Sequence, residues 1–476
     1  MTEERRNSPQ AGDVWNKIEG GTFFGPVIQG RDISVTVNLG HPTTGNEQQL
    51  YHAAQGGSTD DMNNLGGLLY QAGRLGEAEQ WWRRAADGGH TDAMTNLGVV
   101  LDEQGCLDEA EQWHRRAAQG GSITGMDNLG ALLNQQGRMN EAKQWFRRAA
   151  EGGHIRGMFN FGALLYEGGH VNEAEKWLRR AARSGYTDAM TSLGALLYQA
   201  GRVDEAEQWH RRAAQGGSIA GMDNLGALLH QQGRMDEAEQ WFRRAAEGGY
   251  IRGMFNFGVL LYQAGRLGEA EQWWRRAAKA GDTHAMFNLG VVLREQGRLD
   301  EAEQWHRRAA QAGVTAAMDC LGARLHSTGR LDESEQWFRR AAQGGDLGGM
   351  NNLAALLSQD GRHDEAEHWW YRAAQAGDIN GMWNYGEALN KSGRVGEAEP
   401  WLRRAAQGGH TEAGASLGVL LYNNDRYNEA EPWLRRAAQA RHEVAMVCLG
   451  LLLQNTGRKG EAEPWLRGFH FKRVDD

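Results

Sequence analysis

Three histidines are the natural place to look for chemistry in this 476-residue chain. His114, His210 and His306 stand 96 residues apart, inside AEQWHRRAAQGG at 110–121 and 206–217 and AEQWHRRAAQAG at 302–313. Histidine is a common metal ligand and changes charge near neutral pH. Glu111 and Arg115 flank the first copy, a pairing that would suit acid–base work. The spacing argues against both. Each 96-residue interval holds six helices of roughly 10 Å diameter, so the histidines cannot share an ion. Glutamate and arginine return in almost every unit at the same helical positions, which marks them as structural. No G-x-x-x-x-G-K-[ST], H-E-x-x-H or C-x-x-C pattern occurs, so the usual phosphate, zinc and redox signatures are missing. The expectation is a chain with no catalytic residues, no metal and no cofactor. Its histidines are then packing or surface residues.

The element that positions them is a repeat. Trp81, Trp113, Trp145, Trp177, Trp209, Trp241, Trp273, Trp305, Trp337, Trp369, Trp401, Trp433 and Trp465 are each 32 residues apart, thirteen units without an insertion. Only a stack of like units holds such a register, because each must meet its neighbour in the same geometry. In the unit 91–122, Met94, Leu97 and Leu101 mark one face of a first helix. Gly105 stops it; Asp425 is the one replacement for that glycine. Asp108 reads as the N-cap of a second helix. Glu111 three residues on resembles a capping box, with Lys143 the one intruder at that position. Gly98 and Ala110 recur as tiny residues, where two backbones should approach closely. Gly120-Gly121 turns into the next unit. A longer period of three units runs over this one, so the three histidines read as relics of tandem copying.

Asn96-Leu97-Gly98, Gly105 through Ala110, and Ala117 resemble the tetratricopeptide repeat. The ending Trp113, Ala117, Ala118, Gly121 is similar to the related Sel1-like repeat. The unit lacks the proline turn of the one and the longer inter-helix loop of the other. The resemblance covers about 58–467 and implies an all-α solenoid of about thirteen helix-turn-helix repeats in a right-handed superhelix, working as a bacterial protein-binding scaffold. It also implies a groove lined by first-helix side chains, which map here onto Asp92, Thr95, Val99, Asp102, Glu103 and their equivalents. On that basis Arg156, Phe159, Tyr166, Arg252, Phe255, Tyr262, Phe287, Arg294 and Trp383 form aromatic and basic strips. Asp127, Asp223 and Asp319 form acidic ones. Aromatics and arginines are the types enriched at binding hot spots, and the expected ligand is an extended or helical peptide of mixed charge. Phe159→Ala should then leave stability nearly intact, whereas a large residue at Gly194 should unfold its neighbourhood. The repeated asparagine, Asn160 and Asn256 among others, has two readings: a bond to ligand backbone or a bond inside the stack.

The ends differ from the middle. Residues 1–45 form a tail, 46–57 a capping helix, 58–467 the solenoid and 468–476 a second tail. Within the first tail, Ile33, Val35, Val37 and Leu39 alternate with polar residues in a β-prone segment, 20–39. It resembles leaders of bacterial tetratricopeptide and NTPase-linked signalling proteins. Its Val27-Ile28-Gln29-Gly30 core is similar to amyloid-type signalling motifs. The alternative function is thus a signalling or defence adaptor that recruits an effector by templating, with self-association through 20–39. Pro400, Pro432 and Pro464 are placed at the edge of the first turn of their second helices. Net charge is −9, against a nucleic-acid or anionic-membrane partner. The three cysteines lie far apart and the start MTEERRNSPQ is hydrophilic, so a cytoplasmic location is expected. The expected partner is an unidentified protein or peptide.

Overall fold

A computed structural model describes residues 44–466, which form 27 helices and, among these residues, no strand. The β-prone segment 20–39 and the tail after 466 lie outside the described residues. The chain divides into two compact units, with described portions 44–266 and 267–466. The first holds a lone helix, Thr44–Gln55, then helix pairs from Thr59–Gln71 with Leu75–Asp87 onward, ending on Ile251–Gln263. The second runs from Leu267–Lys279 through further pairs to Lys459–Leu466.

Within a unit of the repeat, the first helix (Thr91–Glu103, for example) and the second (Leu107–Gln119) pack antiparallel across a short turn. Gly105 takes φ +80° there, and Asp425 holds the same left-handed conformation at φ 58°. Short polar Asp is one of the few non-glycine residues that tolerates it. The turn into the next unit uses Gly121 at φ +94°. The core is a ribbon between the two helix layers: Leu97, Leu101, Ala110 and Trp113 in one unit join Leu65, Leu69, Ala78 and Trp82 of the unit before.

Three sequence expectations change here. The second helix begins at Leu107, so its N-cap is Cys106 and Asp108 sits in the first turn; most units place arginine at that cap, without a side-chain cap bond. First helices carry the true side-chain caps: Ser122 Oγ accepts from the Gly125 N–H at 3.0 Å, and His154 Nδ1 from the Gly157 N–H at 3.1 Å. Second, Gly98 meets a side chain, not a backbone. A Cβ there would lie 2.6 Å from His114 Cε1, and at Gly130 2.7 Å from Phe146 Cδ1. The residue after the tryptophan fills the glycine notch of its own unit. Third, Pro400 and Pro432 lie a turn deeper than expected, inside Val395–Gln407 and Tyr427–Gln439, where each removes a helical hydrogen bond.

Candidate interaction surface

Most of the charge on the second helices is spent on the stack itself. Glu111, expected in a capping box, instead accepts from Arg115 in its own helix at 2.5 Å and from Arg138 in the next unit at 2.8 Å. Arg138 also donates to Glu141 at 2.8 Å. Burial alone would raise the Glu111 pKa, but the two guanidinium groups outweigh it and hold the carboxyl below its ordinary range. The same four-member arrangement recurs at Glu207, Arg211, Arg234 and Glu237, and at Glu399, Arg403, Arg426 and Glu429. The second arginine of the pair lies over the ring of its tryptophan, Arg116 at 4.7 Å from Trp113 and Arg404 at 5.1 Å from Trp401. Half-exposed pairs like these are individually worth at most about 1 kcal/mol. Their role is register between neighbours.

The first helices carry a second network, and it is buried. Arg156 Nε donates to Asp127 Oδ2 at 2.5 Å and its Nη2 to Asn128 Oδ1 at 2.6 Å. Asn160 Nδ2 reaches Asp127 Oδ1 at 3.0 Å. One 96-residue period later, Arg252, Asp223, Asn224 and Asn256 repeat it at 2.6, 2.6 and 2.9 Å. Asp127, Asp223, Asn160 and Asn256 are fully buried. Burial pushes Asp223 upward in pKa against the pull of Arg252.

These contacts revise the predicted groove. Arg156 is drawn together with Asp127 and Asn160, and Arg252 with Asp223 and Asn256, but as clamps between neighbouring first helices. Phe159, Phe255 and Phe287 are 2%, 1% and 2% exposed and belong to the core. Thr95 and Val99 are buried too. The repeated asparagine bonds within the stack: Asn96 to Asn63 at 3.0 Å, Asn352 to Asp319 at 2.8 Å. Tyr166, Tyr262, Arg294, Asp319 and Trp383 stay partly exposed, with Trp383 stacked on His410 at 4.9 Å.

The histidines fill glycine notches. His114, His210 and His306 are at most 3% exposed. Burial, with Arg156 near the first and Arg252 near the second, holds His114 down to about 4 and His210 to about 3. They are neutral packing groups at physiological pH.

One exposed row was not foreseen as a row. Tyr166, Tyr198, His230 and Tyr262 occupy the same place in four consecutive first helices and are partly exposed. The Tyr166 hydroxyl donates to Gln199 Oε1, the Tyr198 hydroxyl to Gln231 Oε1, and His230 Nε2 lies 3.0 Å from Gln263 Oε1. The signal was in the sequence: LLYQAGR recurs at 68–74, 196–202 and 260–266, with the tyrosine always eight residues after the stacking first-helix methionine position.

An α-solenoid of short antiparallel helix pairs, with charged ladders and clamps joining its repeats and a polar–aromatic row left open, is the class that this architecture defines. The chain belongs to the tetratricopeptide repeat family: its models match at 62–88, 91–120, 123–152, 219–248, 314–344, 347–376 and 413–445, at 159–218 and 255–317, and at 380–404. Among solved structures it is similar to c5321, a protective antigen of uropathogenic Escherichia coli with an SLR fold. That match has 24% identity and a TM-score of 0.55, over 90% of this chain and 99% of that one. A Sel1 repeat protein from Oxalobacter formigenes matches with 26% identity and a TM-score of 0.46, over 61% of this chain and 96% of that one. No curated protein matches the sequence. Among the described residues no helix is long and apolar enough to cross a membrane.

Proposed function

We propose that this chain is a non-catalytic interaction scaffold that holds a segment of another protein along the exposed row of its first helices between 155 and 263. The observation that carries the reading is that row itself. Tyr166, Tyr198 and His230 are oriented by bonds to the next repeat, and together with Tyr262 they stay partly open to solvent. Arg156 and Arg252 on these helices are already paired with Asp127 and Asp223. Rings pre-oriented in this way lose little entropy on binding. Family membership supports the reading, since repeat stacks of this kind present extended binding surfaces.

The test is capture of partners from native lysate by the full chain beside a Gln199→Arg/Gln231→Arg variant. Both glutamines are exposed, so the variant should melt like the parent. Loss of a specific captured protein is the expected result. Capture unchanged by the two arginines removes this row from the function.

A further inference from the structure

The row Tyr166, Tyr198, His230, Tyr262 has a period, and the period selects a ligand. Each ring reaches the glutamine that adjoins the next ring: Tyr166 touches Gln199 beside Tyr198, and Tyr198 touches Gln231 beside His230. Consecutive rings are therefore one helix spacing apart, roughly 8–10 Å for packed helices. An extended strand repeats one face every two residues, roughly 7 Å. A helix presents one face about every 5.4 Å. A polyproline II segment turns once in three residues of about 3.1 Å, so roughly 9 Å per turn. Only the last keeps step with the row.

Hydrogen bonding and charge agree with that choice. The Gln199 and Gln231 carbonyl oxygens are occupied by tyrosine hydroxyls. Their amide N–H groups remain on exposed side chains, so this edge chiefly offers donors. Proline carries a backbone carbonyl and no N–H, so a proline-rich segment is an acceptor without donors. The polyproline II backbone makes no internal hydrogen bonds, which leaves those carbonyls available. Tyrosine, histidine and glutamine make up the row from Tyr198 to Gln263. Over that span it carries no carboxylate or guanidinium for a charged peptide to answer, and a proline segment has none to bury; the exposed Glu167 beside Tyr166 is a carboxylate at its first end.

We infer that residues 166–263 hold an uncharged, proline-rich segment in polyproline II conformation, one turn per repeat, with Tyr166, Tyr198, His230 and Tyr262 stacking on successive turns and Gln199 and Gln231 donating to its carbonyls. This rests on the scaffold reading above and names its ligand. Four rings span three spacings, so roughly nine residues make the full contact.

The experiment is fluorescence polarisation of the full-length chain with a labelled twelve-residue oligoproline, beside a Gly/Ser peptide of the same length. Saturable binding of oligoproline alone is expected. Gln199→Glu/Gln231→Glu keeps an acceptor for each tyrosine hydroxyl but replaces the N–H donors with charge; it should weaken binding at least about tenfold with an unchanged melt. Tyr198→Phe keeps the ring and should weaken it only a few-fold. Tyr422→Ala, the same register in the other unit, should leave it unchanged. Equal binding of both peptides, or oligoproline binding indifferent to the glutamate pair, overturns the inference. Binding of a proline-free peptide or an oligosaccharide that requires Tyr198, with none of oligoproline, overturns the proline assignment; in the peptide case the scaffold reading stands. If the lysate partner is lost in the arginine variant yet oligoproline never binds, the ligand is wrong and the surface is right.

Discussion

First helices between 91 and 263 and those between 347 and 455 follow one template but pack to different depths. In the earlier stretch Asp127, Phe159, Asn160, Ala163, Asp223, Phe255, Asn256 and Val259 are almost entirely buried. At the corresponding positions of the later stretch Asn352, Ala355, Trp383, Asn384, Glu387, Val419 and Cys448 are partly exposed. The clamps explain the contrast. Arg156 and Arg252 each tie a buried aspartate in the preceding helix. Their counterparts later on are Gly348, Asn380, Glu412 and Val444, and the aspartate gives way to Asn351, Trp383, Ala415 and Val447. Asn384 reaches Asn351 only at 3.4 Å, and Asn455 donates to the Tyr422 hydroxyl at 2.9 Å. The frame of glycine, alanine and tryptophan sets how a unit folds. The residues between the frame positions set how completely the face between successive first helices is filled: rings and clamps bury it in the earlier stretch, smaller or polar side chains leave it partly exposed in the later one.

The largest expected effect tests the frame. A Cβ at Gly194 would stand 2.6 Å from His210 Cε1, a buried ring with no room to retreat. Gly194→Leu should cost more than about 4 kcal/mol, the range reserved for such clashes. Hydrogen exchange should show protection lost across 187–215. Next comes a pair that measures the contrast directly. Phe159→Ala should cost about 3–5 kcal/mol as a buried aromatic leaving a cavity, overturning the near-neutral effect expected from sequence. Trp383→Ala, at a partly exposed counterpart position, should cost about 1–2 kcal/mol. Urea melts followed by regional hydrogen exchange would separate them; equal losses would erase the distinction between the two stretches.

The sequence told the frame and misled on the faces, for a physical reason. A tryptophan every 32 residues with a glycine notch and an alanine beside it leaves only a stacked helix pair. The groove positions follow from the family resemblance carried over residue by residue, which cannot say which side chains are buried between successive first helices. The information was present as offsets. Asp127 to Arg156 is 29 residues and Asp127 to Asn160 is 33, one repeat less three and one repeat plus one, so each partner lies across from the aspartate on the next parallel helix. Glu111 to Arg138 is 27, one repeat less five, and marks the outer ladder in the same way. Complementary residues at the repeat length plus or minus a few positions are clamps. Tyrosines and glutamines at those offsets, with exposed edges, are what remains for a partner.

A smaller effect separates the units by pH. His114 and His210 are neutral in the fold, held near 4 and near 3 by burial and by Arg156 and Arg252, against 6.5 for a free histidine. Their folded pKa values are depressed, so the unfolded chain takes up protons first as pH falls below 6.5. The stability they allow is present above that pH and is lost on the way down. Each contributes about 1.4 kcal/mol per pH unit once the unfolded histidine is charged. Asp223, raised by burial, works in the opposite direction, because the fold holds a proton that the unfolded chain releases. His114→Phe/His210→Phe copies the residue that fills the notch at Phe146 and Phe242. It should flatten the pH dependence of 44–266 and leave that of 267–466 as it was, read by exchange protection at pH 7 and pH 5. A slope unchanged by the double variant would show that the two rings are already charged in the fold.

The smallest effect runs the other way. Gly414 lies inside the helix Thr411–Asn423 of the later stretch, and a Cβ there would meet only Ala406 Cβ, at 4.0 Å. That is ordinary contact, with no ring in the way. Its φ is helical rather than left-handed, since it is not among the positive-φ glycines. Gly414→Ala should therefore stabilise by about 0.8–1 kcal/mol, the difference in helix propensity. Gly418→Ala, four residues on in the same helix, offers the contrast: its Cβ would sit 2.6 Å from Leu434 Cδ2, and the same substitution should destabilise. Opposite signs from one chemical change, measured on melts of the two single variants, would show that packing depth rather than propensity decides the outcome. A loss at Gly414 as well would mean that its helix lies closer to Ala406 in solution than the 4.0 Å contact allows.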